Sequence, residues 1–220
     1  MTSIHLFLRR LLPLAAMLVA ALPLAAAAQA LEEGKNYVRL KNPQAVNTGD
    51  KIEVLEFFSY GCPHCADLDP VLVQWHKTLP ADVTFRRVPV SFGRESWDNL
   101  GKAYYTLEAL GVEQKLAPEV FAAIHRGNVR LDVPKSFFDW AAGKGLDRKK
   151  VEDMFNSFAI AGKMNKANQE AAKTYQVQSV PLVIVDGKFM TASDKVGSHA
   201  NMPSAINALV AKAKAERGKK

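Results

Sequence analysis

The apolar positions of this chain change period several times along its length. Lys51 to Phe58 is rich in Val, Leu, Ile and Phe and predicts a strand. Ser59-Tyr60-Gly61 reads as a turn. Beyond it, Cys65, Leu68, Leu72, Trp75 and Leu79 recur at steps of three and four, which marks one buried face of a helix. Pro63 suits the first turn of that helix, where an N–H has no partner to lose, and Leu79-Pro80 ends it. Val83 to Val90 predicts a second strand, completing a βαβ unit of the kind that builds parallel sheets.

The pattern then turns helical from about Phe92 to Tyr175. Leu100, Tyr104, Leu107 and Leu110 share a face, with Gly111 as a stop. Pro118 is expected to begin a helix carrying Val120, Phe121 and Ile124, and Pro134 to Ala142 a short one. Asp147 reads as the N-cap of a helix bearing Val151, Met154, Phe155 and Phe158. Three or four helices in a row are expected. Strands return at Leu182–Val185 and Lys188–Thr191, and the Asp186-Gly187 pair between them is a strong hairpin signal. A last helix is expected from about Met202 to Ala215. The order is βαβ, a helical block, then ββα, an α/β class.

Residues 1–30 stand apart. Arg9 and Arg10 precede an uncharged apolar run, Leu11 to Ala28, that leads into the small-x-small triplet Ala28-Gln29-Ala30. This predicts a signal peptide; a membrane anchor is the alternative, disfavoured by the Ala-rich run and the cleavage-type exit. Without that segment the formal net charge falls from +7 to +5. Basic residues are scattered except at Arg148-Lys149-Lys150 and in the tail Lys212 to Lys220, which are expected to be a solvated helix face and a solvated terminus. No basic stripe interleaved with aromatic residues is present, so nucleic-acid binding is not expected.

The two cysteines change the picture most. They lie three positions apart, in Cys62-Pro63-His64-Cys65. An exported chain ordinarily uses cysteines as distant staples, whereas this pair closes almost no loop and constrains the unfolded chain little. Its placement at a helix start favours chemistry. Cys62 would sit where free N–H groups and the helix dipole favour an anion, and Cys65 one turn inside on the apolar face. An exposed acidic thiol and a shielded, less acidic one are what thiol–disulfide exchange requires. His64 between them would further stabilise a Cys62 thiolate, making the disulfide more oxidising. The alternatives are a purely structural disulfide and a metal site of Cys62, His64 and Cys65. The latter falls short of the four ligands of structural zinc, and His76, His125 and His199 stand in segments with no second ligand pattern. No metal and no cofactor beyond the cysteine pair are expected.

Two further positions draw notice. Glu56 alternates with Ile52, Val54 and Phe58 on an apolar strand face and is expected under the Cys62 helix. Burial would raise its pKa, suiting it to exchange a proton with Cys65 through water. Asp67 and Asp69 are expected to be ordinary helix-dipole partners, and His76 a surface residue. Val180-Pro181 precedes a strand, where a proline fits a strand entry or a cis turn.

The segment Glu56-Phe57-Phe58-Ser59-Tyr60-Gly61-Cys62-Pro63-His64-Cys65, with the later Val180-Pro181, resembles the DsbA family of periplasmic thiol:disulfide oxidoreductases. The resemblance implies a thioredoxin fold with an inserted all-helical domain, with residues 31–92 and 167–220 as the two parts of the thioredoxin fold and 93–166 as the insertion. It implies that Cys62 is the reactive thiol, Cys65 the resolving one, that Pro63 and His64 tune the potential, and that Glu56 is the buried acid. Pro181 would be cis and face the disulfide, with Val180 offering its backbone to a bound peptide. Implied partners are unfolded exported proteins with cysteines, and a quinone-linked membrane oxidase like DsbB that reoxidises the pair; the implied location is the periplasm. Tyr60-Gly61 departs from members with a larger aromatic residue before the first cysteine. The roughly twenty residues between Ala30 and Lys51 are too few for the dimerisation domain of related isomerases, so a monomer is expected. A reductase or isomerase of the same fold, a metal carrier, and a peptide-binding module without turnover are the competing functions.

Overall fold

The computed structural model describes residues 31–218, so the expected signal peptide lies outside the described residues. A five-stranded sheet of order β1-β5-β4-β2-β3 forms the centre. Strands β2 (Ile52–Phe58) and β3 (Val83–Pro89) run parallel and are joined by α1 (Pro63–His76). Strand β4 (Leu182–Val185) is antiparallel to β2, β5 (Phe189–Thr191) to β4, and the two-residue β1 (Val38–Arg39) to β5. All seven residues of β2 are buried. A strand covered on both faces selects apolar residues throughout, which is why Ile52–Phe58 reads as a run rather than an alternation. The β4–β5 turn is made by Asp186 and Gly187, both with positive φ (55° and 60°), as a two-residue hairpin of this hand requires.

One face of the sheet carries α1 and α7 (Met202–Arg217). Leu68, Leu72, Met202, Ile206 and Leu209 pack there against Ile52, Val54, Val183 and Val185. Trp75 Nε1 donates to Asn207 Oδ1 at 2.9 Å, tying the two helices together. Between β3 and β4 the chain is helical: α2 (Glu95–Ala109), α3 (Glu113–His125), α4 (Pro134–Gly143), α5 (Arg148–Phe155), α6 (Phe158–Gln169) and one π-helical turn, Glu170–Thr174. Phe58, at the end of β2, fastens this block to the sheet, with ring centroids 5.2 Å from Tyr104, 5.3 Å from Tyr60 and 6.4 Å from Phe121. The architecture is a thioredoxin fold with helices set between its third and fourth strands. No helix among the described residues is long and apolar enough to cross a membrane.

Several expectations need correction. Five α-helices fill the block, not three or four. The run assigned to one helix through Phe158 breaks at Ser157, whose side chain accepts from Ile160 N and starts α6. Phe158 is consequently 97% exposed. Helix α3 begins at Glu113, five residues before Pro118. The missing Pro118 N–H frees the carbonyl of Gln114, and both residues are exposed, so the proline costs the helix little at this surface position. Strand β1 is too short to leave an apolar pattern. Asp147 does cap α5, accepting from Lys150 N at 2.9 Å. The basic tail is less free than expected: Lys214 pairs with Asp82 at 2.6 Å, and Arg217 pairs with the buried Asp186 of the hairpin turn.

Because Phe58 joins the sheet to the helical block through Tyr104 and Phe121 and packs against Tyr60 of the turn, Phe58→Ala is expected to lower unfolding free energy by about 3–5 kcal/mol. Urea denaturation of the disulfide form checks this, and Phe58→Leu should cost clearly less.

Candidate active site

The turn Ser59–Gly61 delivers the chain from β2 to the start of α1. Ser59 shapes it, its hydroxyl accepting from Gly61 N at 3.1 Å. Cys62 is the N-cap of α1 and Pro63 its first residue, in the extended-then-helical geometry that a proline at that place favours. Cys62 and Cys65 are free thiols. Cys62, expected to be exposed, is only 6% exposed, because the Val180 carbonyl covers its sulfur, and Cys65 is fully buried. Pro63 and His64 face solvent.

The two sulfurs have opposite electrostatics. The Cys62 thiol is lowered from 9.0 to about 6, chiefly by the hydrogen bond from the Cys65 thiol. Burial opposes the shift, while the amides of Cys65 and His64 and the neighbouring His64 ring assist it. The Cys65 thiol is pushed far up by burial, by the Cys62 sulfur and by the negative charge of Glu56. At neutral pH the pair therefore holds one thiolate and one thiol, arranged so that the inner thiol donates to the outer anion.

Val180 and Pro181 reach this point from 118 residues away. The Val180–Pro181 peptide is cis. The Val180 carbonyl accepts from the Cys62 thiol at 3.4 Å. A thiolate has no proton to donate, so ionisation or disulfide formation releases this carbonyl for another donor.

Beneath α1 lies a charge cluster. Glu56 is fully buried, and its Oε2 accepts from Arg87 Nε at 2.7 Å. Arg87 also donates to Asp69 at 2.9 Å and stands 3.9 Å from Glu113, with its guanidinium 4.7 Å from the Phe58 ring centroid. Glu113 accepts from the Tyr60 hydroxyl at 3.2 Å. One cation thus serves three carboxyls. Burial raises both Glu56 and Glu113 against the pull of Arg87, so this site favours the neutral acid more than water would. Among the described residues, Glu56 Oε1 finds no hydrogen-bond partner.

Sequence reasoning brought Glu56 under the helix correctly but missed Arg87, and took Asp69 for a dipole partner when it is 2% exposed and ion-paired. A signal for Arg87 existed. Glu56 and Arg87 each lie four residues past the start of their strands, and the parallel register pairs them directly. His76 is half-buried rather than on the surface, its ring 5.2 Å from that of Phe85. His125, given no role, holds the active-site turn from α3: its Nε2 and the Tyr60 carbonyl are 2.7 Å apart. Gly61 has a steric reason. A β-carbon there would stand 2.7 Å from Trp97 Nε1, so the indole of α2 fills the space a larger residue would need.

The comparison that decides the family is a match of residues 53–201 to the model of the DSBA-like thioredoxin domain. The chain belongs to the DsbA family. The thiol:disulfide interchange protein DsbA of Pseudomonas aeruginosa is 46% identical over 82% of this chain and 85% of its own. That of Burkholderia cepacia is 37% identical over 90% and 91%. The crystal structure of Pseudomonas aeruginosa DsbA superposes with a TM-score of 0.80 at 41% identity, covering 86% of this chain and 97% of that one. Reduced DsbA1 from Neisseria meningitidis gives 0.77 at 29%, covering 87% and 100%. This DsbA-family chain is a protein-disulfide oxidoreductase.

Three measurements test the site. Thiolate ultraviolet absorbance of the reduced protein should titrate near pH 6. Since the folded pKa lies below the ordinary value, thiolate stabilisation is complete above the ordinary pKa and fades as pH falls through about 6. The melting temperature of the reduced form should therefore rise relative to the disulfide form between pH 6 and 9. Separately, Arg87→Met strands buried acids and should cost about 3–5 kcal/mol by urea denaturation of the disulfide form.

Proposed function

We propose that this protein is a dithiol oxidase of the periplasm, which donates a Cys62–Cys65 disulfide to newly exported proteins. The observation that carries this reading is the opposition of the two thiols, Cys62 lowered to about 6 and Cys65 raised. Stabilising the Cys62 thiolate stabilises the reduced form, so the disulfide gives itself up readily. Each pKa unit is worth about 1.4 kcal/mol, or about 30 mV for this two-electron couple.

In the proposed reaction a substrate thiolate attacks Cys62 Sγ. The Cys62–Cys65 bond breaks and its electron pair leaves on Cys65. That sulfur is a poor anion where it is buried, and it takes a proton, which Glu56 supplies through water from the carboxyl oxygen that finds no hydrogen-bond partner among the described residues. A second substrate thiolate then attacks the substrate sulfur of the mixed disulfide, and Cys62 departs as the favoured thiolate. The substrate leaves oxidised by two electrons and the enzyme reduced by two.

Pro63 and His64 tune the Cys62 sulfur. Val180 presents its carbonyl to the N–H of a bound peptide, with Pro181 against the sulfur pair. A shallow apolar surface suits unfolded chains here. Trp97, Leu100 and Val129 form the apolar side of a groove of about 280 Å³ whose rim carries Asn128, Arg130 and Asp132, and Phe92, Val129 and Val133 are exposed. A quinone-linked membrane protein like DsbB would return the pair to the disulfide, and the protein would work as a monomer once residues 1–30 are removed.

The test is the midpoint potential of the Cys62–Cys65 couple against glutathione. A value well above the roughly −270 mV of thioredoxin is expected, and a value near that of thioredoxin would replace the oxidase with a reductase. Cys65→Ser should accumulate mixed disulfides through Cys62, visible on non-reducing gels, and Cys62→Ser should form none.

A further inference from the structure

His64 and Asp67 are three residues apart at the start of α1, on the same face of the helix. The short 3-10 turn His199–Asn201, which precedes α7, brings a second histidine to them from the far end of the chain. One ligand-capable atom from each of His64, Asp67 and His199 lies within 4.8 Å of the others, and His64 and Asp67 are exposed. The His64 and His199 ring centroids are 6.4 Å apart. His199 is also held in place, its Nδ1 lying 2.7 Å from Ser193 Oγ. With Nδ1–H donating to that hydroxyl, Nε2 keeps its lone pair. A hydrogen bond on the far ring nitrogen is how proteins orient a metal-ligating histidine.

We propose that His64, Asp67 and His199 form a divalent-cation site of the zinc type at the mouth of the active site. Two imidazoles and one carboxylate suit zinc or its transition-metal neighbours rather than magnesium or calcium, which favour all-oxygen shells. Three protein ligands leave one position for water, as in exchangeable sites. Bonds of about 2 Å to a tetrahedral ion set ligand atoms about 3.4 Å apart, so the exposed His64 and Asp67 side chains rotate on binding toward the held His199. The positive end of α1 opposes a cation there, and the Asp67 carboxylate offsets it. The site differs from one made of Cys62, His64 and Cys65: neither sulfur is needed, and its second histidine comes from beyond β5. An ion on His64 stands two residues from Cys62 and obstructs a protein thiol approaching that sulfur. Zinc is therefore a reversible inhibitor of thiol–disulfide exchange by this protein.

The experiment titrates zinc chloride into the disulfide form, in which both sulfurs are bonded and cannot ligate, by isothermal calorimetry. One ion per chain is expected. His199→Ala and Asp67→Asn should each weaken binding at least about ten-fold, and Ser193→Ala about ten-fold through the lost orientation; thermal melts confirm that each variant folds. In a disulfide-exchange assay, zinc should slow the wild type and a chelator restore it. His199→Ala should keep the basal rate and resist zinc. Absence of binding to the disulfide form, binding unchanged in His199→Ala, or inhibition equal in wild type and His199→Ala would each overturn the site.

Discussion

The Arg87 guanidinium is the constraint around which the lower half of the active site is built. It lies between β3 and α1, pairs with Glu56 and Asp69, and approaches Glu113. Through those contacts it joins the sheet, the active-site helix and α3. Buried ion pairs are weak evidence for stability in themselves, because desolvation offsets much of their attraction. Their use here is chemical. With three carboxyls around one cation, burial outweighs the pull of Arg87 at Glu56 and Glu113, and both are easier to protonate than acids in water. Glu56 is the member whose charge bears on Cys65. The same arginine anchors Glu56 by one oxygen, and among the described residues the other finds no partner, the oxygen from which the proposed proton transfer starts.

Above that cluster, three covalent steps along one helix separate two thiols of opposite character. The difference is positional. At the N-cap, Cys62 receives donors from the next turn; one turn in, Cys65 meets Glu56 and the apolar core. Pro63 and His64 fill the exposed side of the same turn, so what surrounds the pair from solvent is separate from what surrounds it from within. Trp97 against Gly61 and His125 against the Tyr60 carbonyl then fix the turn from the helical block.

What could be read from the sequence was what local spacing encodes. The βαβ unit, the Asp186-Gly187 hairpin, the Asp147 cap and the asymmetry of Cys62 and Cys65 all follow from residues within one or two turns of each other. What could not be read needed registers or distant neighbours. Arg87 drew no role because its pairing with Glu56 emerges only when β3 is aligned with β2. Asp69 stands four residues after Cys65 and three before Leu72, on the buried face of α1, but the partner that explains a carboxylate there, Arg87, comes from β3. Ser157 as a cap was hidden by apolar residues on both sides of it, which carried the helical pattern through Phe158. His199 had no ligand pattern nearby, since its neighbours His64 and Asp67 lie more than a hundred residues earlier.

The 118 residues between Cys62 and Val180 also set a schedule. A chain made from its N-terminus at about 5–20 residues per second presents its cysteines roughly 6–24 s before the carbonyl that meets them exists. During that interval β2 has no β4 beside it, and the helix carrying the thiols lacks α7 on its flank. A nascent chain of this protein is therefore born with its cysteine pair but without the Val180 carbonyl that meets Cys62, which arrives with the last quarter of synthesis.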